Sequence, residues 1–240
     1  MSAPKTAMVL AAGLGTRMRP LTDDRPKALV EVAGRPLVDH MLDRLADAGV
    51  ERAVVNLHYF ADRLETHLAA RAGRPPAIAI SDERAEALET GGGLKHALPL
   101  LGEGPVWVAN IDSIWIEAGA PALDAVARAW DPGRMDVCLM LAPTATSLGF
   151  HDSGDVFLQE GGRLRFKEPG EIAPLVYVGV HIANPAIVAG GPDGPFSLLP
   201  IWKDLAARGR IYGVSPPGTW MHVGDPDALK AAEARLAEPA

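Results

Sequence analysis

Cysteine is all but missing from this chain: 240 residues contain one, Cys138. A lone thiol closes no internal disulfide, and its setting in the apolar run from Val137 to Leu141 marks it as a core residue, so a reducing, cytoplasmic setting is expected. An excess of positive charge is missing too. The formal net charge of −7 excludes a general nucleic-acid binder, whose affinity for phosphate backbones needs clustered surplus Lys and Arg. Long apolar runs are lacking as well. The stretch after Lys5 extends for about ten residues before Arg17 and Arg19 interrupt it, which argues for a mature start over a signal peptide, and nothing later approaches membrane-spanning length. Internal repeats and low-complexity linkers are also absent. With 48% hydrophobic residues the chain can bury one sizeable core, so residues 1–240 are expected to form a single domain, as a monomer or small homo-oligomer.

What the chain does have is a glycine-rich, basic loop. An apolar strand from Ala7 to Ala11 runs into Ala12, Gly13, Leu14, Gly15 and Thr16, and Arg17, Arg19, Arg25 and Lys27 follow. Glycines let backbone N–H groups approach an anion closely, and the cations outnumber Asp23 and Asp24, leaving a local positive excess in an acidic protein. The loop reads as a polyphosphate cradle. It is not a Walker A loop, which would need Gly and Lys where Met18 and Arg19 stand. Nor is it a dinucleotide fingerprint: Met18 replaces the third glycine, Pro20 follows, and the next strand ends on Asn56 instead of an acid.

Strand-like and helical patterns alternate through the first half. Helices are expected from Leu37 to Ala48, Phe60 to Ala70, Gly91 to Leu98 and Ala122 to Trp130, and strands at Ala53 to Leu57, Ile78 to Ile80, Val106 to Ala109 and Val137 to Leu141. This spacing predicts an α/β fold, a Rossmann-like mixed but mostly parallel sheet with helices on both faces. Residues 1–142 form its nucleotide-binding half, with ligands beyond the carboxyl ends of the strands. Beyond residue 143 the pattern changes to a hairpin (Asp155 to Gln159 with Arg163 to Lys167), a longer strand from Val176 to Ile182, and helices from Leu198 to Arg208 and from Pro226 to Leu236, the last with Asp225 as N-cap.

From Ala11 to Pro36 the chain meets every fixed position of A-A-G-x-G-T-R-x-x-P-L-T-x-x-x-P-K-x-x-x-x-V-x-x-x-P, and it resembles the sugar-1-phosphate nucleotidyltransferases, which have a GT-A-like fold. The turn from Leu88 to Gly93 and the short C-terminal end extend the resemblance to the small bacterial N-acetylmuramate 1-phosphate uridylyltransferases. The resemblance implies transfer of a nucleotidyl group from an NTP, UTP by preference, to a sugar 1-phosphate in peptidoglycan recycling, with Mg²⁺ as cofactor and residues 143–240 forming the sugar side. A mannose- or heptose-1-phosphate guanylyltransferase, or a nucleotide-sugar sensor without turnover, are the alternatives.

The resemblance also assigns residues. The reaction is in-line attack by an already ionised phosphate oxygen, so alignment and charge neutralisation replace a general base. Arg17 would brace the triphosphate and Lys27 approach the α-phosphate, beside a nucleotide seat formed by Leu10, Ala11, Ala12, Gly13, Gly15, Thr16, Glu89, Thr90 and Gly91. Asp112 would hold the metal, in a run Asn110, Ile111, Asp112 that departs from the family N-G-D by its isoleucine. Asn110, Asp155, Lys167 and Glu168 are candidates for the sugar phosphate. Near the C-terminus the family W-x-D-V-G reads Trp220, Met221, His222, Val223, Gly224 here, so His222 stands in a metal-ligand position. An imidazole there admits Mn²⁺ or Co²⁺ besides Mg²⁺, and Asp225 is the competing oxygen ligand.

Overall fold

The computed structural model describes residues 3–238. Strand β1 (Thr6–Leu10) runs through the centre of the sheet with its three middle side chains buried. Ala7 and Val9 point into one apolar cluster and Met8 into the other, so a strand covered on both faces needs an almost continuous apolar run. A two-stranded ribbon follows, β2 (Glu31–Val32) with β3 (Arg35–Pro36), and then α1 (Leu37–Asp47), β4 (Arg52–Leu57), α2 (Ala61–Ala69) and β5 (Ala77–Asp82). Helix α1 buries Leu37, Val38, Met41, Leu42 and Leu45, the stripe expected of a helix laid on a sheet.

Strands β1, β4 and β5 pair in parallel, and α3 (Glu89–Leu101) carries the chain back to β6 (Val106–Asn110), which is parallel to β1 on its other side. The strand order therefore reverses between β1 and β6, and at such a switch point an open α/β sheet leaves a crevice beyond the strands' carboxyl ends. The chain continues through β7 (Ser113–Glu117), α4 (Ala122–Ala129) and β8 (Val137–Pro143).

The second half reverses direction. Strands β9 (Val156–Leu158) and β10 (Leu164–Phe166) pair antiparallel across Gly161 and Gly162, and β11 (Leu175–Ala183) runs antiparallel to both β6 and β8. After α5 (Leu199–Ala207), β12 (Ile211–Val214) pairs in parallel with β8, β13 (Gly218–His222) pairs with β7, and α6 (Pro226–Ala237) closes the described chain. The main sheet has nine strands in the order β10-β9-β11-β6-β1-β4-β5, with β8 and β12 branching from β11. Buried residues of α1, α2, α4 and α6 share one apolar cluster and those of α3 and α5 the other, so helices cover both faces.

Two local expectations need correction. Helix α3 begins at Glu89, two residues before Gly91, and runs on to Leu101. The β7–β13 ribbon was not anticipated: its strands are short and far apart in sequence, so no local pattern joins them.

Candidate active site

A cleft of about 450 Å³ opens at the switch point, lined by Leu10 to Arg17, Lys27, Glu89, Thr90, Asn110 and Asp112. The loop after β1 is held from within. Gly15 adopts φ 63°, and a Cβ there would stand 3.0 Å from both the Lys27 Cβ and the Thr22 methyl, so only glycine suits this turn. Thr22, itself buried, donates its hydroxyl to the Gly15 carbonyl at 2.8 Å. Gly13 differs: nothing lies within 4 Å of where its Cβ would be.

The four cations of the loop part ways. Arg19 pairs with Asp23 at 3.6 Å and Arg25 with Asp24 at 2.9 Å, and neither arginine lines the cleft. The positive excess counted in the sequence thus belongs to Arg17 and Lys27. The Lys27 side chain, only 11% exposed, places Nζ 2.7 Å from Asp112 Oδ2, and His222 Nε2 lies 3.3 Å from the same oxygen. Burial raises the Asp112 pKa, but the Lys27 ammonium and the His222 ring outweigh it and hold the carboxyl well below the usual carboxylate range.

The β7–β13 ribbon sets His222 in place. His222 is paired in register with Ser113, the Val223 N–H donates to the Asp112 carbonyl at 2.9 Å, and the His222 ring stacks on Trp220 at 5.8 Å. Trp220 in turn donates its indole N–H to Ser113 Oγ at 3.1 Å. Asp225 faces elsewhere: its Oδ1 accepts from the Asp227 and Ala228 N–H groups at 3.1 and 2.8 Å, capping α6. Among the described residues no group of three or more His, Cys, Asp or Glu is gathered that could hold a metal ion. One carboxylate and one imidazole nonetheless suit a divalent cation that completes its shell from substrate phosphates and water.

Gly91 does not line the cleft. Its N–H and that of Gly92 donate to the Phe196 carbonyl at 2.8 and 3.1 Å, and a Cβ on Gly92 would collide with the Gly194 carbonyl. The glycines of this turn therefore admit a strap formed by residues 191–197. Asp155, Lys167 and Glu168 do not line the cleft either. The Asp155 carboxylate accepts from the Tyr177 N–H at 2.9 Å, with burial pushing its pKa up, and Lys167 Nζ donates to Ser153 Oγ at 2.6 Å. Lys167 and Glu168 border a separate groove with Arg165 and Lys203.

Sequence reasoning missed Asn56 and Glu83, both buried and both on the cleft wall. Asn56 Oδ1 accepts from the Ala11 and Ala12 N–H groups at 2.6 and 3.1 Å, and its Nδ2 donates to Glu83 Oε1 at 2.8 Å. Their positions, near the carboxyl ends of β4 and β5, were the available signal.

Residues 7–149 match the family described as the MobA-like NTP transferase domain. The chain belongs to that family. It is 75% identical, over 98% of both chains, to the N-acetylmuramate alpha-1-phosphate uridylyltransferase of Caulobacter vibrioides, and 34% identical, over 95% of this chain and 96% of the other, to the enzyme of that name from Neisseria meningitidis serogroup B. The inositol-1-phosphate CTP transferase of T. maritima superposes with a TM-score of 0.78 at 17% identity, covering 99% of this chain and 98% of that one, and shares the fold. An NTP transferase on this scaffold is a nucleotidyltransferase enzyme, and the alternative of a sensor without turnover falls away.

Proposed function

We propose that this nucleotidyltransferase transfers a uridylyl group from UTP to N-acetylmuramate 1-phosphate, releasing pyrophosphate. The observation that carries the reading is the Lys27, Asp112, His222 constellation, whose first two members line a nucleotide-sized cleft, in a chain 75% identical to an enzyme of that name. In this reading the sugar phosphate oxygen attacks the α-phosphorus in line as pyrophosphate leaves, and Lys27 neutralises the charge that develops there. Arg17, exposed at the cleft and without an ion-pair partner among the described residues, offers a planar fork to the departing phosphates. Asp112 and His222 would hold a divalent cation, Mg²⁺ or, with the imidazole as a donor, Mn²⁺ or Co²⁺, whose contribution would be to screen the triphosphate's charge. Asn110, beside Asp112 on the cleft wall, serves the sugar phosphate, whereas Asp155, Lys167 and Glu168 reach it only if the acceptor extends past the cleft.

A cytoplasmic setting fits substrates of this kind and agrees with a described chain in which no helix is long and apolar enough to cross a membrane. The deciding experiment measures pyrophosphate release with each of the four common NTPs against N-acetylmuramate, N-acetylglucosamine, glucose and mannose 1-phosphates. Preferred turnover of UTP with the muramate ester is the expected result. A preference for GTP with mannose 1-phosphate would replace the reading with the guanylyltransferase alternative.

A further inference from the structure

We propose that Asn56 and Glu83 are positioning residues for the nucleotide: a buried relay that fixes the separation of the two cleft walls, resting on the nucleotidyl-transfer reading above. Asn56 is 2% and Glu83 3% exposed, and the chemistry just described uses neither. Burying an amide and a carboxylate is unfavourable unless every polar atom is partnered, and here the partners are consecutive. Two backbone N–H groups of the glycine loop, at Ala11 and Ala12, donate into Asn56 Oδ1. The Asn56 amide donates on to Glu83 Oε1, and Glu83 Oε2 accepts from the Leu88 N–H at 3.3 Å, next to the head of α3. One wall, residues 11 and 12, is thereby tied to the other, residues 88 to 90, through side chains from two neighbouring strand ends.

The third glycine of α3 belongs to the same arrangement. A Cβ on Gly93 would stand 2.9 Å from Glu83 Oε1 and 3.1 Å from Asn56 Nδ2, so the helix approaches the pair more closely than any other residue would allow. The loop's N–H groups also settle which way the amide points, because only an oxygen can accept from both. Each bond in the chain has a fixed sense, and that makes the relay testable by reversing it. In Asn56→Asp, the new carboxylate still accepts from Ala11 and Ala12 but opposes Glu83. In Glu83→Gln, an NH2 group replaces one of the two accepting oxygens, so at the original positions either Asn56 or Leu88 faces a donor where it had an acceptor. Combined, the two changes restore every bond: Gln at 83 donates to Asp at 56 and accepts from Leu88, and the negative charge merely moves by one side chain.

The experiment measures KM for UTP, kcat and Tm for the wild type, both single variants and the double variant. Loss of a charge-assisted bond predicts that each single variant raises KM by about tenfold to a hundredfold, with a smaller fall in kcat. The double variant returns KM to within about threefold of wild type, by the pairwise logic of a double-mutant cycle. A double variant as impaired as the worse single one, or one that does not fold, overturns the proposal. So do single variants that lower Tm and leave KM unchanged, since the pair would then be structural alone. If the wild type turns over a different NTP, the uridylyl reading fails by itself, and the cycle is run with that nucleotide.

Discussion

Replacing Lys27 with methionine keeps the stem and removes the charge, which separates electrostatics from packing. The stem matters: the Lys27 side chain is 11% exposed, and truncation to alanine would remove its buried methylenes along with the charge. How much the charge contributes depends on the medium around it. Two unit charges about 4 Å apart interact by about 1 kcal/mol in water and about 4 kcal/mol at an effective dielectric of about 20. With side-chain exposures of 11% at Lys27 and 22% at Asp112, the second figure is the relevant ceiling. Only part of a unit charge develops in the transition state, so a loss of about 10²- to 10³-fold in kcat is expected, in line with removing one preorganised donor from an active site. The same change leaves the Asp112 carboxylate without its ammonium, at a cost of about 1–3 kcal/mol in stability, so rates must be compared well below the variant's Tm. Steady-state pyrophosphate release, with KM and kcat resolved, is the assay. A kcat held within about threefold while KM rises would show uniform binding and refute the transition-state role.

Asp112→Asn removes the carboxylate's charge and with it the 2.7 Å ion pair to Lys27, and turnover should fall to background at any Mg²⁺ concentration in a pyrophosphate-release assay. His222→Asp places an oxygen donor against Asp112 and should shift the ratio of kcat in Mg²⁺ to kcat in Mn²⁺ toward Mg²⁺, with His222→Ala as the control; equal ratios in all three proteins would make the ring structural. Burial pushes the Cys138 thiol up to about 12, so a thiol reagent at pH 8 should label it only in denaturant, which mass spectrometry reads directly. Burial also depresses the His181 pKa to about 3, against about 6.5 in an unfolded chain. The unfolded chain therefore binds this proton first, and His181 costs stability as pH falls below about 6.5, at roughly 1.4 kcal/mol per unit until its folded pKa is reached. His181→Gln should flatten that part of the urea-unfolding free energy between pH 7 and pH 5.

The parts of the molecule legible in the sequence are those governed by local pattern. The β1 run, most of the alternation of helix and strand up to β8, and the N-cap at Asp225 each depend on residues within a few positions of one another and stand close to where the pattern puts them, α3 and β7 excepted. The glycine loop was legible as a loop, but the partners of its cations were not. Nothing local shows that Arg19 and Arg25 turn to their acidic neighbours while Lys27 reaches a residue 85 positions away. The resemblance puts Gly91, after Thr90, in the nucleotide seat. In the folded chain Gly91 and Gly92 make room for residues from beyond position 190, a long-range contact no window of sequence contains. Asn56 and Glu83 were overlooked for a related reason: each is an ordinary polar residue at the end of a strand until parallel pairing of β4 with β5 sets the two side by side.

Long-range pairing also decides which cations of an acidic protein are left facing the cleft. Asp23 and Asp24 pair with Arg19 and Arg25, so the cations facing the cleft are Arg17 and Lys27, against Glu83, Glu89 and Asp112 on its lining, and Lys27 is already ion-paired with Asp112. A pair of this kind is close to neutral toward a distant anion yet becomes polar at contact range, where ammonium and carboxylate are felt separately. Long-range attraction of a nucleotide then falls to Arg17, and discrimination at the reacting phosphorus to the pair. Raising the ionic strength screens interactions beyond about 8–10 Å and leaves buried pairs largely untouched. Salt should accordingly weaken nucleotide capture more than it slows turnover at saturation, and the effect should vanish in Arg17→Ala while persisting in Lys27→Met. If both variants keep the salt dependence of the wild type, the attraction comes from elsewhere on the surface and this division of labour is wrong.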